Sequence, residues 1–513
     1  MNVVQANVQT NIQANRPAFV RGLALLIGAV VFISCAYFYE GGGWNQNSRF
    51  DLVRAIIQQH TLSIDAYHEN TQDKAFANGH YYSDKAPGVV LLAVPVALAI
   101  RPVLRSAGVD PDSPHGWVVV SYFATIISIA LPFAAACACL FLIALRLGAS
   151  VTAAAFAACA MGLATPLWAY ATLFWGHALA GACLLFAFAA VLQLSGSGSR
   201  NAARDFVWST AAGLAAGWAT VTEYPAAPAS AILALFALVV VWKDGWPRRL
   251  PIAAGIAAGA LPCVAVLLIY QRAAFGSAFH PSYSYYPAGA FPWMKHGYLG
   301  LTYPHIGLAL RLLFSYRRGL LLSGPVLFAA PFGLRWLAKQ PATRAAAIAA
   351  SAVAAYYLLF QASFSSYSGW SYGPRYMSPG LPLLCVGLAP AWDYASKRWR
   401  VVIDGLAIAG LLFTLMTVAT TSQPPSDLKF PMLQLTVPSF WSGNLSINPG
   451  SMLTSAESGP THIGYAFNLG ELLGLHGLLS LSPLMVTWLI AAFAFRRLIG
   501  ASRKVPALSL IHI

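Results

Sequence analysis

Charged residues are scarce in this sequence: Asp, Glu, Lys and Arg together make up only 9% of its 513 residues, whereas hydrophobic residues make up 58%. Short segments of alternating polarity, which a membrane β-barrel needs, are missing. Many apolar segments are instead close to 20 residues long, the length that crosses a hydrocarbon core of about 30 Å. The sequence therefore predicts an all-α polytopic membrane protein.

Acidic residues and cysteines are few as well. Lys and Arg outnumber Asp and Glu by 31 to 16, which gives a formal net charge of +15. In a membrane protein such an excess marks cytoplasmic loops, so we expect no nucleic-acid partner. All seven cysteines fall inside predicted spans, which argues against a disulfide framework and against a cysteine metal site.

Twelve segments are predicted to cross the membrane, roughly at residues 18–39, 117–145, 150–170, 178–195, 206–222, 226–242, 251–271, 319–337, 345–361, 378–392, 401–420 and 479–495. The first has no small-residue cleavage site, so we expect it to be retained. If residues 1–17 are cytoplasmic, the short inner loops carry more than half of the Lys and Arg, as the positive-inside rule requires. Most acidic residues then fall outside, which suggests a functional extracytoplasmic face.

Residues 88–105 are apolar but are predicted to lie on the outer membrane surface. The run before Arg101 is short for a span, contains Pro95, and ends in "RPVLR". The first outer loop then covers 40–116, with a surface helix at 48–59. The other long outer loops are expected at 272–318, 362–377 and 421–478.

The first outer loop contains "HYYSDKAPG", residues 80–88, directly before that apolar run. A site with carboxylates, tyrosines and basic residues beside the lipid surface suits the transfer of a head group from an anionic lipid-linked donor. Lys85 would hold the phosphate and stabilise it as the leaving group. A carboxylate would take the proton from the acceptor hydroxyl. Arg317 and Arg318 lie outside, against the positive-inside trend, and are further candidates for binding the phosphate.

This stretch resembles the "Tyr-x-Glu-Lys-Pro-Pro" element of polyprenyl-phosphate-dependent glycosyltransferases with the GT-C fold, among them the protein O-mannosyltransferase-like enzymes (family 39) and the lipid A aminoarabinose transferases. "SGWSYGPRYMSPGLPLL", residues 368–384, resembles a second element of these proteins. The resemblance implies a GT-C-like catalytic module at 18–395, followed by C-terminal spans at 396–495. It also implies phosphate binding by Lys85 and Arg375, and a metal-binding or orienting role for Asp84.

The sequence departs from that family where the family's acid pair precedes "Arg-Tyr", because Gln46 and Asn47 occupy this place in "QNSRF". The catalytic base must then lie elsewhere. Asp65 is favoured, since Asp51 is readily explained as a solvated residue of the surface helix. Asp73, Asp84 and Glu223 remain open alternatives.

Five further residues are expected to bind substrate, namely Tyr82, His177, Glu223, Tyr224 and Tyr376. The predicted activity is transfer of a hexose or pentose from a polyprenyl-phosphate donor to a lipid, glycan or protein acceptor. We expect it on the periplasmic side of a bacterial inner membrane. A divalent metal ion is an open option for a cofactor. The competing hypotheses are a transporter or flippase and a surface-polysaccharide polymerase or ligase.

The last six residues, "LSLIHI", do not resemble the basic cytoplasmic tail, 496–513, in which they stand. They match an in-frame translation of a commonly used sequencing-transposon end. We therefore expect the natural chain to diverge near Ala507, and no function is assigned to His512.

Overall fold

The computed structural model describes residues 17–195, 201–287, 289–364, 369–448, 450–454, 457 and 465–503. The predictions for the N-terminus before residue 17 and for the last six residues concern positions outside this part of the chain. Residues 365–368, in the predicted outer loop at 362–377, and most of 455–464, in the predicted outer loop at 421–478, also lie outside this part of the chain.

The first half of the chain is almost entirely helical. It forms, in order, α1 (Pro17–Ala36), β1 (Phe38–Glu40), α2 (Trp44–Arg54), β2 (Lys74–Ala77), β3 (His80–Ser83), α3 (Gly88–Ser106), α4 (Pro114–Arg146), α5 (Val151–Leu163), α6 (Leu167–Ala171), α7 (Gly176–Leu194), α8 (Ala202–Thr222), α9 (Ala226–Val240) and α10 (Trp246–Phe275).

The second half contains more short helices. It forms α11 (Ile306–Phe314), α12 (Leu320–Ser323), α13 (Ala330–Lys339), α14 (Arg344–Ala362), α15 (Leu381–Cys385), α16 (Leu388–Asp393), α17 (Lys397–Thr420), α18 (Val437–Ser442), β4 (Ala466–Asn468), α19 (Leu469–Leu472) and α20 (Ser482–Arg503).

The predicted spans correspond to these helices. Within the described ranges, eight helical segments are long and apolar enough to cross a membrane: α1, α3, α4, α7, α10, α14, α17 and the segment that ends with α20. The shorter apolar helices α5 and α9, the helix α8, and the interrupted segments α12–α13 and α15–α16 account for the remaining predicted spans. Without α3 the total is twelve, and the chain is an all-α integral membrane protein.

Helix α3 has the length of a span, so the argument that the apolar run at 88–105 is too short was wrong. Its 19 residues continue through Pro95 and Pro102. A contact between residues on either side of α3 in the sequence nevertheless indicates that α3 does not cross the membrane. Arg49, before α3, pairs with Glu223, after it, at 2.6 Å. Four predicted crossings, by α4, α5–α6, α7 and α8, lie between the two residues, so a fifth crossing would put them on opposite sides of the membrane.

The helix at 48–59 is confirmed as helical, but it is not a solvated surface helix. Helix α2 starts earlier than predicted and continues as a π-helical turn over Ala55–Gln59. Nearly all of its residues, including Asp51, are buried. The prediction of a solvated Asp51 was therefore wrong, because other loops cover α2.

Close packing of glycines joins two neighbouring helices. Gly213 and Gly217 on α8 pack against α10, and Gly255 and Gly259 on α10 pack against α8, with the four-residue spacing that lets helix backbones approach closely in membranes. A Cβ atom added to Gly213 would lie 2.1 Å from the carbonyl oxygen of Ile256. Among the long apolar helices described, α7 is the most enclosed, with 83% of its apolar stretch buried. The bundle is thus packed around α7, whose first residues lie at the end that carries the site.

Candidate functional site

A β-hairpin places the charged residues of "HYYSDKAPG". Strands β2 and β3 pair antiparallel, with Lys74 opposite Ser83, around a turn at Asn78 and Gly79. Both turn residues have positive φ angles, 54° and 84°, as an Asn-Gly hairpin turn requires. The register places the residue before Lys74 next to the residue after Ser83. Asp73 and Asp84, far apart along the hairpin, are therefore brought to the same end of it.

Lys85 lies between these two carboxylates. Its Nζ atom is 2.8 Å from Oδ2 of Asp73 and 2.7 Å from Oδ2 of Asp84. Burial acts to lower the pKa of Lys85, but the two carboxylates outweigh it and raise the pKa above its usual value. The ammonium group therefore stays charged although it is buried. We call Asp73, Asp84 and Lys85 the lysine cluster.

The two carboxylates of the lysine cluster have different surroundings. Asp84 is fully buried and also accepts hydrogen bonds from Ser48 Oγ, at 3.0 Å, and from the Tyr286 hydroxyl. Burial raises the pKa of Asp84, whereas the Lys85 ammonium outweighs burial at Asp73 and lowers the pKa of that carboxyl. Asp84 is thus a fixed support for Lys85, and Asp73 is the more readily ionised carboxylate.

Asp73 lines a cavity of about 410 Å³. Arg375 lines the same cavity, donates a hydrogen bond to the Tyr376 hydroxyl at 2.8 Å, and stacks over that ring. Burial acts to lower the pKa of Arg375, but nearby Tyr376 and Asp73 raise it. The remaining wall is mainly aromatic, and includes Trp44, Trp175, Phe291, Trp293 and Trp370. A carboxylate, a guanidinium and several aromatic rings therefore meet around a space of the size that binds small organic ligands.

A second buried cluster lies beside the cavity. Glu223, directly after α8, accepts a hydrogen bond from Arg49 of α2 at 2.6 Å and lies 3.0 Å from Nδ1 of His177 at the start of α7. Burial acts to raise the pKa of Glu223, but His177 and Arg49 lower it to about 2. We call Arg49, His177 and Glu223 the glutamate cluster. It connects three helices through the ion pair of Glu223 with Arg49 and the contact of Glu223 with His177.

The structure brings together most of the residues expected from the sequence. Lys85 and Asp84 lie in the lysine cluster, and Arg375 with Tyr376 lies at the cavity. His177 and Glu223 are not among the described residues that line the cavity, although the ring of His177 is 5.9 Å from that of Tyr376. A role for the glutamate cluster in binding substrate stays a prediction.

The two expected tyrosines near the hairpin differ in position. Tyr224 approaches the lysine cluster through Ser282: its hydroxyl lies 3.3 Å from Ser282 Oγ, which donates a hydrogen bond to the Asp84 carbonyl. Tyr82 instead packs its ring against Phe275, at 5.3 Å between centroids. The structure therefore gives Tyr82 a packing contact away from the cavity.

Asp65, the favoured base, is not brought to the cavity. Its carboxylate is 41% exposed, lies 2.6 Å from Nδ1 of His80, and accepts a hydrogen bond from the Tyr81 backbone N–H at 2.7 Å. These contacts fix the outer side of the β2–β3 hairpin. The expectation that Asp65 belongs to the charged site thus conflicts with its exposed position.

Asp51 is buried but belongs to another group of residues. It accepts a hydrogen bond from Asn70 at 3.2 Å and lies near the ion pair of Arg54 with Glu457. Burial raises the pKa of Asp51 well above its usual value, and Asp51 is not among the described residues that line the cavity.

Arg317 and Arg318 line a different, much smaller pocket, together with Tyr372, Pro424 and Pro431. Neither is among the described residues around the larger cavity. Their predicted contact with a donor phosphate therefore has no support from the arrangement of the lysine cluster.

Gln46 stands where the family that the sequence resembles has an acid, and its side chain is used in hydrogen bonds to the backbone. Its amide donates to the carbonyls of Glu40 and Gly42 and accepts from the Phe174 backbone N–H at 2.8 Å. Sequence reasoning gave little weight to Asp73 and missed Arg49. The register of the Asn-Gly hairpin was the signal that could have paired Asp73 with Asp84.

A metal role for Asp84 fits its surroundings poorly. Its carboxylate oxygens already bind Ser48, Tyr286 and the Lys85 ammonium, and a neighbouring cation disfavours a dication. In the part of the chain that the structure describes, no three His, Cys, Asp or Glu residues are grouped to hold a metal ion.

No family model matches the sequence, and no curated protein matches it either. Comparison with solved structures shows that the chain has the GT-C fold, which is found in polytopic membrane glycosyltransferases. It is similar to ArnT from Cupriavidus metallidurans bound to undecaprenyl phosphate, with a TM-score of 0.50 and 17% identity over 79% of this chain and 65% of that chain.

Two structures of the Archaeoglobus fulgidus oligosaccharyltransferase are also similar. The apo form has a TM-score of 0.49 and 12% identity, and the matched region covers 80% of this chain and 57% of the oligosaccharyltransferase chain. The complex with Zn and sulfate has a TM-score of 0.49 and 15% identity, covering 87% and 59%. The chain therefore spans less than two thirds of the length of these proteins.

Proposed function

We propose that the protein is a membrane glycosyltransferase that transfers a sugar from a polyprenyl-phosphate donor to an acceptor on the extracytoplasmic face. The observation that carries this proposal is the cavity where Asp73 and Arg375 meet, with Lys85 directly behind Asp73. The ArnT structure of the same fold holds undecaprenyl phosphate, which supports a carrier of this class.

Lys85 and Arg375 are proposed to bind the donor phosphate. The Arg375 guanidinium lines the cavity and the Lys85 ammonium lies directly behind Asp73, so the two can offer the charge-assisted hydrogen bonds that a phosphate needs. They would also stabilise the negative charge that grows on the phosphate when the bond to the sugar breaks. The aromatic wall is suited to pack against the faces of a sugar ring, and the apolar bundle holds the polyprenyl chain in the membrane.

Asp73 is proposed as the general base. It lines the cavity, whereas Asp65 is exposed and Asp51 lies near Arg54. The donor phosphate would replace Asp73 as the partner of Lys85, which releases the Asp73 carboxylate toward the acceptor. Asp73 would then accept the hydroxyl proton while the acceptor oxygen bonds to the anomeric carbon. The bond from that carbon to the phosphate oxygen breaks, and polyprenyl phosphate leaves.

The acceptor is proposed to be a lipid, a glycan or a protein, and the location a bacterial inner membrane with the site facing the periplasm. No reaction step is assigned to a metal ion. Chelation with EDTA in the transfer assay tests metal dependence directly.

The test is transfer of radiolabelled sugar from a polyprenyl-phosphate donor by purified protein in proteoliposomes. Lys85→Ala should lower the rate by about 10²–10³-fold, the effect of removing one preorganised electrostatic group at a reacting centre. Asp110→Asn is the matched control, because Asp110 is an exposed turn residue. No transfer with hexosyl or pentosyl donors, together with substrate-dependent ion or lipid flux, would contradict the proposal and favour a transporter.

A further inference from the structure

An apolar groove of about 840 Å³ runs along the bundle toward the end opposite to the site. One wall is a single face of the segment that includes α12 and α13, because its lining residues recur every three or four positions: Leu321, Pro325, Phe328, Phe332 and Trp336. The other wall is one face of α17 near its start: Trp399, Val402, Ile403 and Leu406.

The groove is long enough to hold a hydrocarbon chain. The wall from Leu321 to Trp336 covers sixteen residues, roughly 20–25 Å at helical rise. This is most of a hydrocarbon core of about 30 Å. Several of the residues that line the groove are exposed at the surface of the protein, for example Phe332, whose side chain is 60% exposed. The described residues thus leave a concave apolar surface facing the lipid.

The far end of the groove lies at a membrane interface. Trp336 and Tyr394 stack with ring centroids 3.6 Å apart, and Trp399 is exposed beside them. Such aromatic groups mark the headgroup level of a bilayer. Thr421, at the other end of α17, contacts Glu40 at the site end. The aromatic mouth of the groove is therefore on the side of the membrane away from the lysine cluster.

Positive charge surrounds this mouth. Arg335 directly precedes Trp336 and Lys339 follows it one turn later, while Lys397 and Arg398 stand between the lining residues Ser396 and Trp399. All four cationic residues are exposed.

The two nearby carboxylates are already engaged. Asp393 accepts hydrogen bonds from the Ser150 backbone N–H and hydroxyl, at 2.6 and 2.8 Å. Asp404 accepts one from the Trp392 indole at 2.7 Å. Both carboxylates are thus held by neutral donors, and no described contact pairs either of them with one of the four cations.

We propose that this groove binds an anionic glycerophospholipid, with a fatty-acyl chain along the apolar walls and the phosphate among Arg335, Lys339, Lys397 and Arg398. Charge complementarity selects this occupant, since a zwitterionic lipid gains little from four cations. A polyprenyl phosphate bound here would hold its phosphate across the membrane from Lys85. The site is thus distinct from the proposed catalytic one, and the bound lipid would hold the α12–α13 segment against α17.

Native mass spectrometry of the delipidated full-length protein tests the proposal. Phosphatidylglycerol and phosphatidylcholine with identical acyl chains are titrated separately, and undecaprenyl phosphate is a third probe. Each cation near a membrane surface strengthens anion attraction by about fivefold, so phosphatidylglycerol should bind at least a hundredfold more tightly than phosphatidylcholine at low salt. Raising the ionic strength should reduce this preference.

Two sets of variants separate the headgroup from the groove. Lys397→Gln with Arg398→Gln should lower the preference for phosphatidylglycerol about thirtyfold and leave phosphatidylcholine binding unchanged. Arg204→Gln with Lys243→Gln removes two exposed cations elsewhere at the same end and should have no effect. Ala391→Trp, which fills the groove, should weaken both lipids.

Three results would overturn the proposal: equal affinity for the two phospholipids, equal effects of the two double variants, or tighter binding of undecaprenyl phosphate than of phosphatidylglycerol at this site. Because the replaced cations are exposed, the double variants are expected to fold. None of these measurements depends on glycosyltransferase activity.

Discussion

Two buried clusters of charge lie side by side at the site end of the bundle, and they are arranged in opposite senses. In the lysine cluster a cation lies between two carboxylates, Asp73 and Asp84. In the glutamate cluster a carboxylate lies between Arg49 and His177. The partners of Lys85 come from one hairpin, whereas the partners of Glu223 come from two helices that are distant in sequence.

This difference separates a group that can exchange partners from one that holds helices together. Asp73 lines the cavity, so a ligand phosphate can take its place on Lys85. Glu223 is enclosed, and any exchange would leave a buried charge without a partner, which is costly. We therefore propose that the lysine cluster carries the chemistry and that the glutamate cluster supports α2, α7 and α8.

The largest expected effect on catalysis comes from Asp73→Asn. Loss of a general base should lower kcat by about 10²–10⁴-fold. Donor binding should be retained or become slightly tighter, because Lys85 loses a competing carboxylate. Single-turnover transfer and donor-binding titrations measure the two effects separately.

Asp65→Asn, measured in parallel, is the comparison for that variant. If Asp65→Asn abolishes transfer and Asp73→Asn retains it, the base is Asp65 and the lysine cluster only binds phosphate. A loss in both variants with weakened donor binding would instead indicate damage to the hairpin.

Glu223→Gln should mainly affect stability. Breaking a buried ion pair costs about 3–5 kcal/mol, because Arg49 keeps its charge without a partner. Thermal unfolding in detergent or nanodiscs measures this loss. The low pKa of Glu223, about 2, means that its contribution is present above the usual glutamate pKa and is lost as the pH falls toward 2.

The wild type should therefore lose stability as Glu223 is protonated in this pH window, and the Glu223→Gln variant should not show this loss. A Glu223→Gln protein of unchanged stability, but with impaired donor or acceptor binding, would contradict the supporting role. It would return the glutamate cluster to the substrate site that the sequence suggested.

The smallest expected effect is a shift in the pH profile. The Lys85 ammonium lowers the pKa of Asp73, so the acidic limb of kcat/KM should lie below the usual aspartate value of about 3.9. In Lys85→Gln the residual activity should show that limb at higher pH, since burial then acts on Asp73 without the ammonium. An acidic limb that does not move would mean that the titrating base is not Asp73.

Much of the fold could be predicted because hydropathy and the positive-inside rule are local properties. They located the twelve crossings, and the Asn-Gly pair located the hairpin turn. The argument from length was wrong for α3, because the helix continues through Arg101 and Pro102. Both ends of α3 nevertheless lie on the same side of the bundle. The contact that reveals this, between Arg49 and Glu223, joins residues far apart in sequence.

The site was harder to predict than the fold. Lys85, Asp84 and Arg375 were found through their short motifs. Asp73 was ranked low because its proximity to Lys85 depends on strand register, which a one-residue slip would reverse. Asp65 was favoured because Asp51 was interpreted as a solvated residue of the surface helix, and the sequence does not distinguish an exposed carboxylate from one lining a cavity. Burial of α2 depends on the loop after α17, so it could not be read from α2 alone.

The pairing of β1 with β4 has a consequence for how the protein is made. Phe38, shortly after the first helix, pairs with Asn468, which directly precedes the short helix α19. Asn47 of α2 likewise donates a hydrogen bond to the Ser451 carbonyl at 2.7 Å. The segment that carries the site is thus among the first to leave the ribosome, but its partners are synthesised only after more than four hundred further residues. Assembly of the site must therefore await insertion of the final helices.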